Sequence, residues 1–299
     1  MKKGILYGLG AYALWGFFPI YWKYLHSVPA LQVIGHRIGW SFILLVIVLL
    51  LSNQWSDFRE AAMHRKVIGI YSIAAILLSI NWLVYVWGVN AGFIVETSLG
   101  YFINPLHSVL LGVLFLRERL RPAQWIPVGI AAAGVLYLTV IYGRPPWIAL
   151  SLAFSFGFYG LVKKLAPLGS LYGLTLETGI VFPAALAYLL FVEFSGTGSF
   201  FHADALTNIL LIGAGVVTTI PLLMFASAAK QIPLSVVGLL QYIAPTLQFL
   251  IGVFIYKEPF DRAHFIGFAI VWVALIIFWV ENYLARRVPV EPIPEMGEG

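Results

Sequence analysis

Three ionisable side chains lie inside apolar runs of this chain: Arg37 in LQVIGHRIGWSFILL, Glu96 in IVETSLGYF and Glu177 in LYGLTLETGIVF. A charge in such surroundings is costly to keep, so each is a functional candidate. Arg37 has two readings: an anchor for an anionic group on a solute, or one member of an ion pair inside a helix bundle. Glu177 is either a proton-carrying carboxylate or a structural acceptor. Glu96, in the first turn of its run, either couples to protons or complements a helix dipole. Amides and aromatic rings accompany them: Trp15, then Asn81, Trp82 and Tyr85, then Tyr101 and Asn104, then Tyr159, and finally Gln241 and Tyr242. Aromatic walls carrying a few amides suit a small amphipathic molecule, and these are the candidate substrate-binding residues. Taken singly, each also reads as a packing or interface ring.

Other chemistries lack their residues. With no cysteine, disulfides, thiolate metal sites and cysteine nucleophiles are excluded. The six histidines have no ligand spacing, so no metal is expected, and no motif calls for a cofactor. There is no G-x-x-x-x-G-K-[ST] phosphate loop, no G-x-S-x-G elbow and no close carboxylate pair on one helix. The chain is not expected to be an enzyme.

The elements that must position these residues follow from composition. Of 299 residues, 61% are hydrophobic and only 10% charged, against about a quarter charged in soluble domains. Mean hydropathy is +0.92. At roughly 20 residues per crossing, ten segments qualify as membrane helices: 4–25, 30–51, 67–89, 93–116, 123–142, 146–165, 170–194, 207–229, 233–256 and 262–284. The expected fold is an all-α integral membrane protein. The first segment has a basic start like a signal peptide, yet its apolar stretch is long, aromatic and lacks a small-residue cleavage site, so it reads as a retained span. Residues 286–299 are proline-rich and acidic and read as a disordered cytoplasmic tail.

Lys and Arg in the short loops set orientation. With the N-terminus inside, thirteen basic residues fall on the inner side and four, Lys23, Arg144, Lys257 and Arg262, on the outer. The +5 net charge is therefore a matter of topology, and no nucleic-acid partner is expected.

A repeat organises the whole. At an offset of 140, Ile103, Pro105, Gly112, Glu118 and Ile130 recur as Ile243, Pro245, Gly252, Glu258 and Ile270 without a gap. Helices 1–5 and 6–10 thus read as two copies of one unit, residues 1–142 and 143–285. Five being odd, the second copy enters the membrane inverted, as in many secondary transporters. Pro105 and Pro245 deprive the carbonyls of Tyr101 and Gln241 of their helical partners and read as hinges that break two helices near mid-membrane. Pro19, Pro127, Pro183 and Pro221 are expected to interrupt four more. His107 and Gln248 fall in the same neighbourhood. Arg37 and Glu177 are offset mates, but their expected depths differ by roughly 10 Å, so no ion pair between them is expected.

The segments HRIGWS at 36–41, NWLVYVWGVN at 81–90, ETSLGYFINPL at 96–106, LAFSFGFYGLVKK at 152–164, ET at 177–178, TTIPLL at 218–223 and LQYIAPTLQFL at 240–250 resemble the RarD-type permeases of the EamA branch of the drug/metabolite transporter superfamily. The resemblance covers nearly the whole chain except the acidic tail. It implies ten transmembrane helices in two inverted five-helix repeats, a place in the cytoplasmic membrane and transport of small organic molecules. The expectation is a secondary transporter working by alternating access, exporting its solute with proton coupling. A non-transporting scaffold or sensor and a lipid-modifying membrane enzyme are the alternatives.

Overall fold

The computed structural model describes residues 2–91, 93–143, 145–257 and 262–285, and every regular element among them is helical. The helices are α1 (Lys2–Gly16), α2 (Phe18–Lys23), α3 (Ala30–Leu51), α4 (Trp55–Ala62), α5 (Arg65–Asn90), α6 (Ile94–Phe115), α7 (Trp125–Tyr142), α8 (Trp147–Leu165), α9 (Ser170–Phe194), α10 (Ala205–Gln231), α11 (Leu234–Gln241), α12 (Ile243–Leu250) and α13 (Arg262–Ala285). A π-turn, Ile251–Ile255, continues α12. Among the described residues, eight stretches are long and apolar enough to cross a membrane, counting α1–α2 and α11–π-turn as one each. Shorter apolar stretches, Leu99–Phe115 and Phe265–Glu281, lie in α6 and α13. The short helix α4 has no counterpart in the sequence reading, which treats 52–66 as a connection. It docks Phe58 and Ala62 against Tyr71 and Leu168.

Bilayer-facing positions hold large apolar residues, such as Leu51, Phe115, Val140 and Phe194, all well exposed. Between helices, small residues do the packing, because lipid gives no hydrophobic drive for helix association. The stripe Gly4, Gly8 and Gly16 runs down α1. A Cβ on these residues would meet Ile232, Leu240 and Leu247 at 2.6–2.7 Å, so α1 lies directly on the second half of the chain. Gly215 of α10 likewise admits Trp40 and Ser41 of α3, and Ser41 Oγ donates to the Gly215 carbonyl at 3.1 Å.

The prolines act differently from expectation. Phe17 separates α1 from α2, with Pro19 in the first turn of α2, and the chain turns at Tyr242 between α11 and α12, three residues before Pro245. By contrast α6 runs unbroken through Pro105, and α9 and α10 through Pro183 and Pro221. Pro105 is therefore not a helix break. The carbonyl of Pro105 and the Cβ of Ser108 press on Gly238 of α11 so closely that no side chain would fit between them. Pro127 lies in the first turn of α7, where a backbone N–H would have no helical partner anyway.

Two loop residues take left-handed backbone after the helices that carry the duplicated motif: Arg117 at φ 54° and Lys257 at φ 55°. Such values are uncommon outside glycine. Glu118, next to Arg117, caps the start of α11. Its carboxylate accepts from Leu234 N at 2.6 Å, Ser235 N at 2.9 Å and Ser235 Oγ at 2.7 Å. An anion at a helix N-terminus satisfies orphan N–H groups and suits the helix dipole. Gly112 makes room for it, since a Cβ there would stand 2.5 Å from Glu118 Oε2. Glu258, the offset mate of Glu118, lies outside the described residues, as does the tail from 286 onward.

A candidate solute-binding cavity

A cavity of about 240 Å3 opens beside the two chain breaks. Helical spacing explains who reaches it. Leu78, Asn81, Trp82 and Tyr85 share one face of α5, Tyr101 and Asn104 one face of α6, and Leu152 and Phe156 one face of α8. Gln241, Ala244, Pro245 and Gln248 do the same across the α11–α12 break. Trp15, Pro19 and Trp22 come from the α1–α2 break, and Arg37 from α3. The structure therefore brings together Trp15, Arg37, Asn81, Trp82, Tyr85, Tyr101, Asn104, Gln241 and Pro245 from the sequence reading.

Several walls are fixed by hydrogen bonds. Asn81 Nδ2 donates to Leu152 O at 3.0 Å and Ser155 Oγ at 3.1 Å, tying α5 to α8. Pro19 cannot donate to the Trp15 carbonyl four residues earlier, and Gln248 Nε2 takes over at 3.1 Å. The side chain of Gln248 thus completes a break in a helix 233 residues away. Tyr85 and Tyr101 pack edge to face at 5.9 Å, as do Trp15 and Phe156 at 5.8 Å.

Arg37 is the one charged side chain on the wall among the described residues. Its Nε donates to Thr218 Oγ1 at 2.9 Å, and its guanidinium carbon lies 4.5 Å from the Trp82 ring and 4.9 Å from the Trp22 ring. Two further wall groups are buried without a hydrogen-bond partner: Asn104 Oδ1 and the Tyr12 hydroxyl.

Four expected site residues lie elsewhere. Tyr242 is fully buried in a core cluster with Leu99 and Phe102, and its hydroxyl donates to the Phe102 carbonyl at 3.2 Å. Tyr159 is fully buried against Phe225 (rings 5.8 Å apart, 12°) and donates to Glu177 Oε2 at 3.1 Å. Glu177 itself is buried off the cavity, 2.6 Å from Lys163 Nζ. Pro105 faces α11. In each case long-range packing, invisible to spacing, sets the direction of the residue. His107 also turns away, with Nδ1 3.0 Å from the Ala153 carbonyl. The side chain of Glu96 lies outside the described residues.

Sequence reasoning missed Tyr12, Trp22, Thr218 and Lys163. Lys163, one of the thirteen basic residues that fall on the expected inner side, sits 1% exposed inside α8. Tyr12 was detectable, because it continues the Gly4–Gly8–Gly16 stripe of α1 at four-residue spacing.

A helical bundle with an apolar exterior and an aromatic, amide-bearing cavity at two helix breaks defines a polytopic membrane protein built around a small internal site. Comparison with known proteins makes this specific. The EamA-like transporter family matches residues 2–140. "Uncharacterized transporter YojE" of Bacillus subtilis (strain 168) is 51% identical over 292 residues, 96% of each chain. "Protein RarD" of Streptomyces exfoliatus is 44% identical over 287 residues, 96% of this chain and 91% of that one. A solved crystal structure only 19% identical covers 95% of this chain and 99% of its own, with a TM-score of 0.70, and shows the shared fold. The chain belongs to the EamA-like transporter family and is of the RarD type. It is a multi-pass membrane protein of a transporter family.

Proposed function

We propose that the chain is a secondary active transporter that exports small organic molecules across the cytoplasmic membrane by alternating access, coupled to protons. The observation that carries this reading is the cavity, whose walls come from both halves of the chain and converge where α1–α2 and α11–α12 break. Irregular backbone at membrane depth is tolerated where it lines such a space.

In this reading the chain crosses the membrane ten times, as two inverted five-helix repeats over 1–142 and 143–285, with both termini in the cytoplasm. Two details favour it. Arg117 and Lys257 are 140 residues apart and share the same rare backbone conformation. Phe102 and Tyr242, also 140 apart, touch each other, as residues beside a two-fold axis would. With the buried Lys163 removed from the inner count, twelve basic residues against four still favour this orientation. Glu177 is the proposed proton-coupling carboxylate, with Glu96 as the second candidate. Tyr159 links Glu177 to the cavity, since it also packs on the wall residue Phe156 at 5.7 Å.

Uptake of radiolabelled amino acids into proteoliposomes, with and without an imposed pH gradient, tests the reading. Protein-dependent flux that rises with the gradient is expected. Gradient-insensitive flux, unchanged in Glu177→Gln, would remove the proton coupling, and absence of any flux would remove the transporter.

A further inference from the structure

The cavity's polar groups are incomplete, and the missing partners describe the ligand. Arg37 lies in a membrane-spanning helix, yet among the described residues no carboxylate pairs with it. Its one hydrogen bond is from Nε to Thr218, and the indoles of Trp22 and Trp82 cover it. The edge bearing the two terminal nitrogens has no acceptor among the described residues. The half-buried guanidinium has no carboxylate partner among the described residues, and the edge it presents fits a planar two-oxygen anion. The anchor reading of Arg37 is the one this geometry favours.

The same wall holds Asn104, 4% exposed, with Oδ1 unpartnered, and the unpartnered hydroxyl of Tyr12. Size and charge narrow the class. At about 240 Å3 the cavity is small for a ligand site, since such sites run from about 300 Å3 upward. A single cation on the wall balances one negative charge, whereas a phosphate monoester brings about −1.5 to −2.

We propose that the cavity selects a compact organic monocarboxylate: its carboxylate sits on the terminal nitrogens of Arg37, and its apolar body lies among Trp15, Trp82, Tyr85 and Phe156. This rests on the cavity being the solute site.

The test uses matched probes, each a 2-hydroxy carboxylate and its uncharged primary amide: lactate, mandelate and 3-phenyllactate. Binding to the purified full-length protein is read by thermal shift and by quenching of tryptophan emission. At least one carboxylate is expected to bind ten-fold or more tightly than its amide. In Arg37→Gln that preference disappears, and in Arg37→Lys part of it survives, with both variants first checked for a monodisperse elution profile. Equal binding of acids and amides, no binding of any acid, or an unchanged preference in Arg37→Gln overturns the proposal. Counterflow of the same probes in proteoliposomes separates the two readings. Amide flux without charge preference sinks the monocarboxylate and leaves transport standing. Charge-selective binding without flux does the reverse.

Discussion

Lys163 Nζ stands 2.6 Å from Glu177 Oε1, and the two side chains are 1% and 2% exposed. Tyr159 donates to the other carboxylate oxygen, and Tyr71 lies 5.3 Å from the ammonium, so the pair sits in an aromatic sleeve between α5, α8 and α9. Breaking a buried pair leaves one charge uncompensated at a cost of about 3–5 kcal/mol. Glu177→Gln is therefore expected to lower the thermal unfolding midpoint sharply, and Lys163→Met with Glu177→Leu to recover most of it. A single variant as stable as the parent would show that Lys163 is neutral there. The double variant also separates coupling from stability: if Glu177 carries the proton, the double variant folds but its flux no longer responds to the pH gradient.

Tyr242→Phe removes one hydroxyl and leaves the Phe102 carbonyl without it. Since the ring stays in its cluster and off the cavity wall, a loss of about 1–2 kcal/mol is expected, with ligand affinity unchanged. A weakened affinity at equal stability would bring Tyr242 back to the site.

Glu118 holds three donors at the start of α11, the helix that delivers Gln241 to the cavity. Glu118→Ala is expected to cost about 1–2 kcal/mol by loss of the cap. Gly112→Ala should do similar damage by displacing the carboxylate, although its own helix propensity improves. If Gly112→Ala stabilises the protein in a thermal unfolding assay, the carboxylate is not confined as described.

Asn104→Trp fills the cavity from α6. Flux in proteoliposomes is expected to fall at least ten-fold while the far-ultraviolet helical signal is kept. Tyr159→Phe, off the wall, should leave binding intact. A phenotype in cells that survives the filled cavity would favour the scaffold alternative.

How far the sequence alone reaches is clearest in α8. Hydropathy over 146–165 locates that helix within a residue of Trp147–Leu165, because burial of apolar side chains in lipid is a local demand on each segment. The same holds for α3 and α9, whose expected limits of 30–51 and 170–194 match the structure. Residue type and expected depth nominated Asn81, Trp82, Tyr85, Tyr101 and Asn104, and all five line the cavity.

Direction across helices did not follow. Lys163 and Lys164 are adjacent and identical, yet successive residues point about 100° apart around a helix. One meets Glu177 in the core. The other reaches the end of α10, donating to Ala229 O and Ile232 O at 3.0 and 2.6 Å, while Lys230 of α10 returns the exchange to Ala166 O and Leu168 O. Likewise two equivalent prolines behave differently: α6 runs unbroken through Pro105, packed on Gly238, while the chain turns at Tyr242 ahead of Pro245. The length of each apolar run determined where the long helices lie. Which face meets which neighbour was decided by contacts between residues far apart in the chain, and those contacts left Arg37 facing the cavity with no carboxylate partner among the described residues.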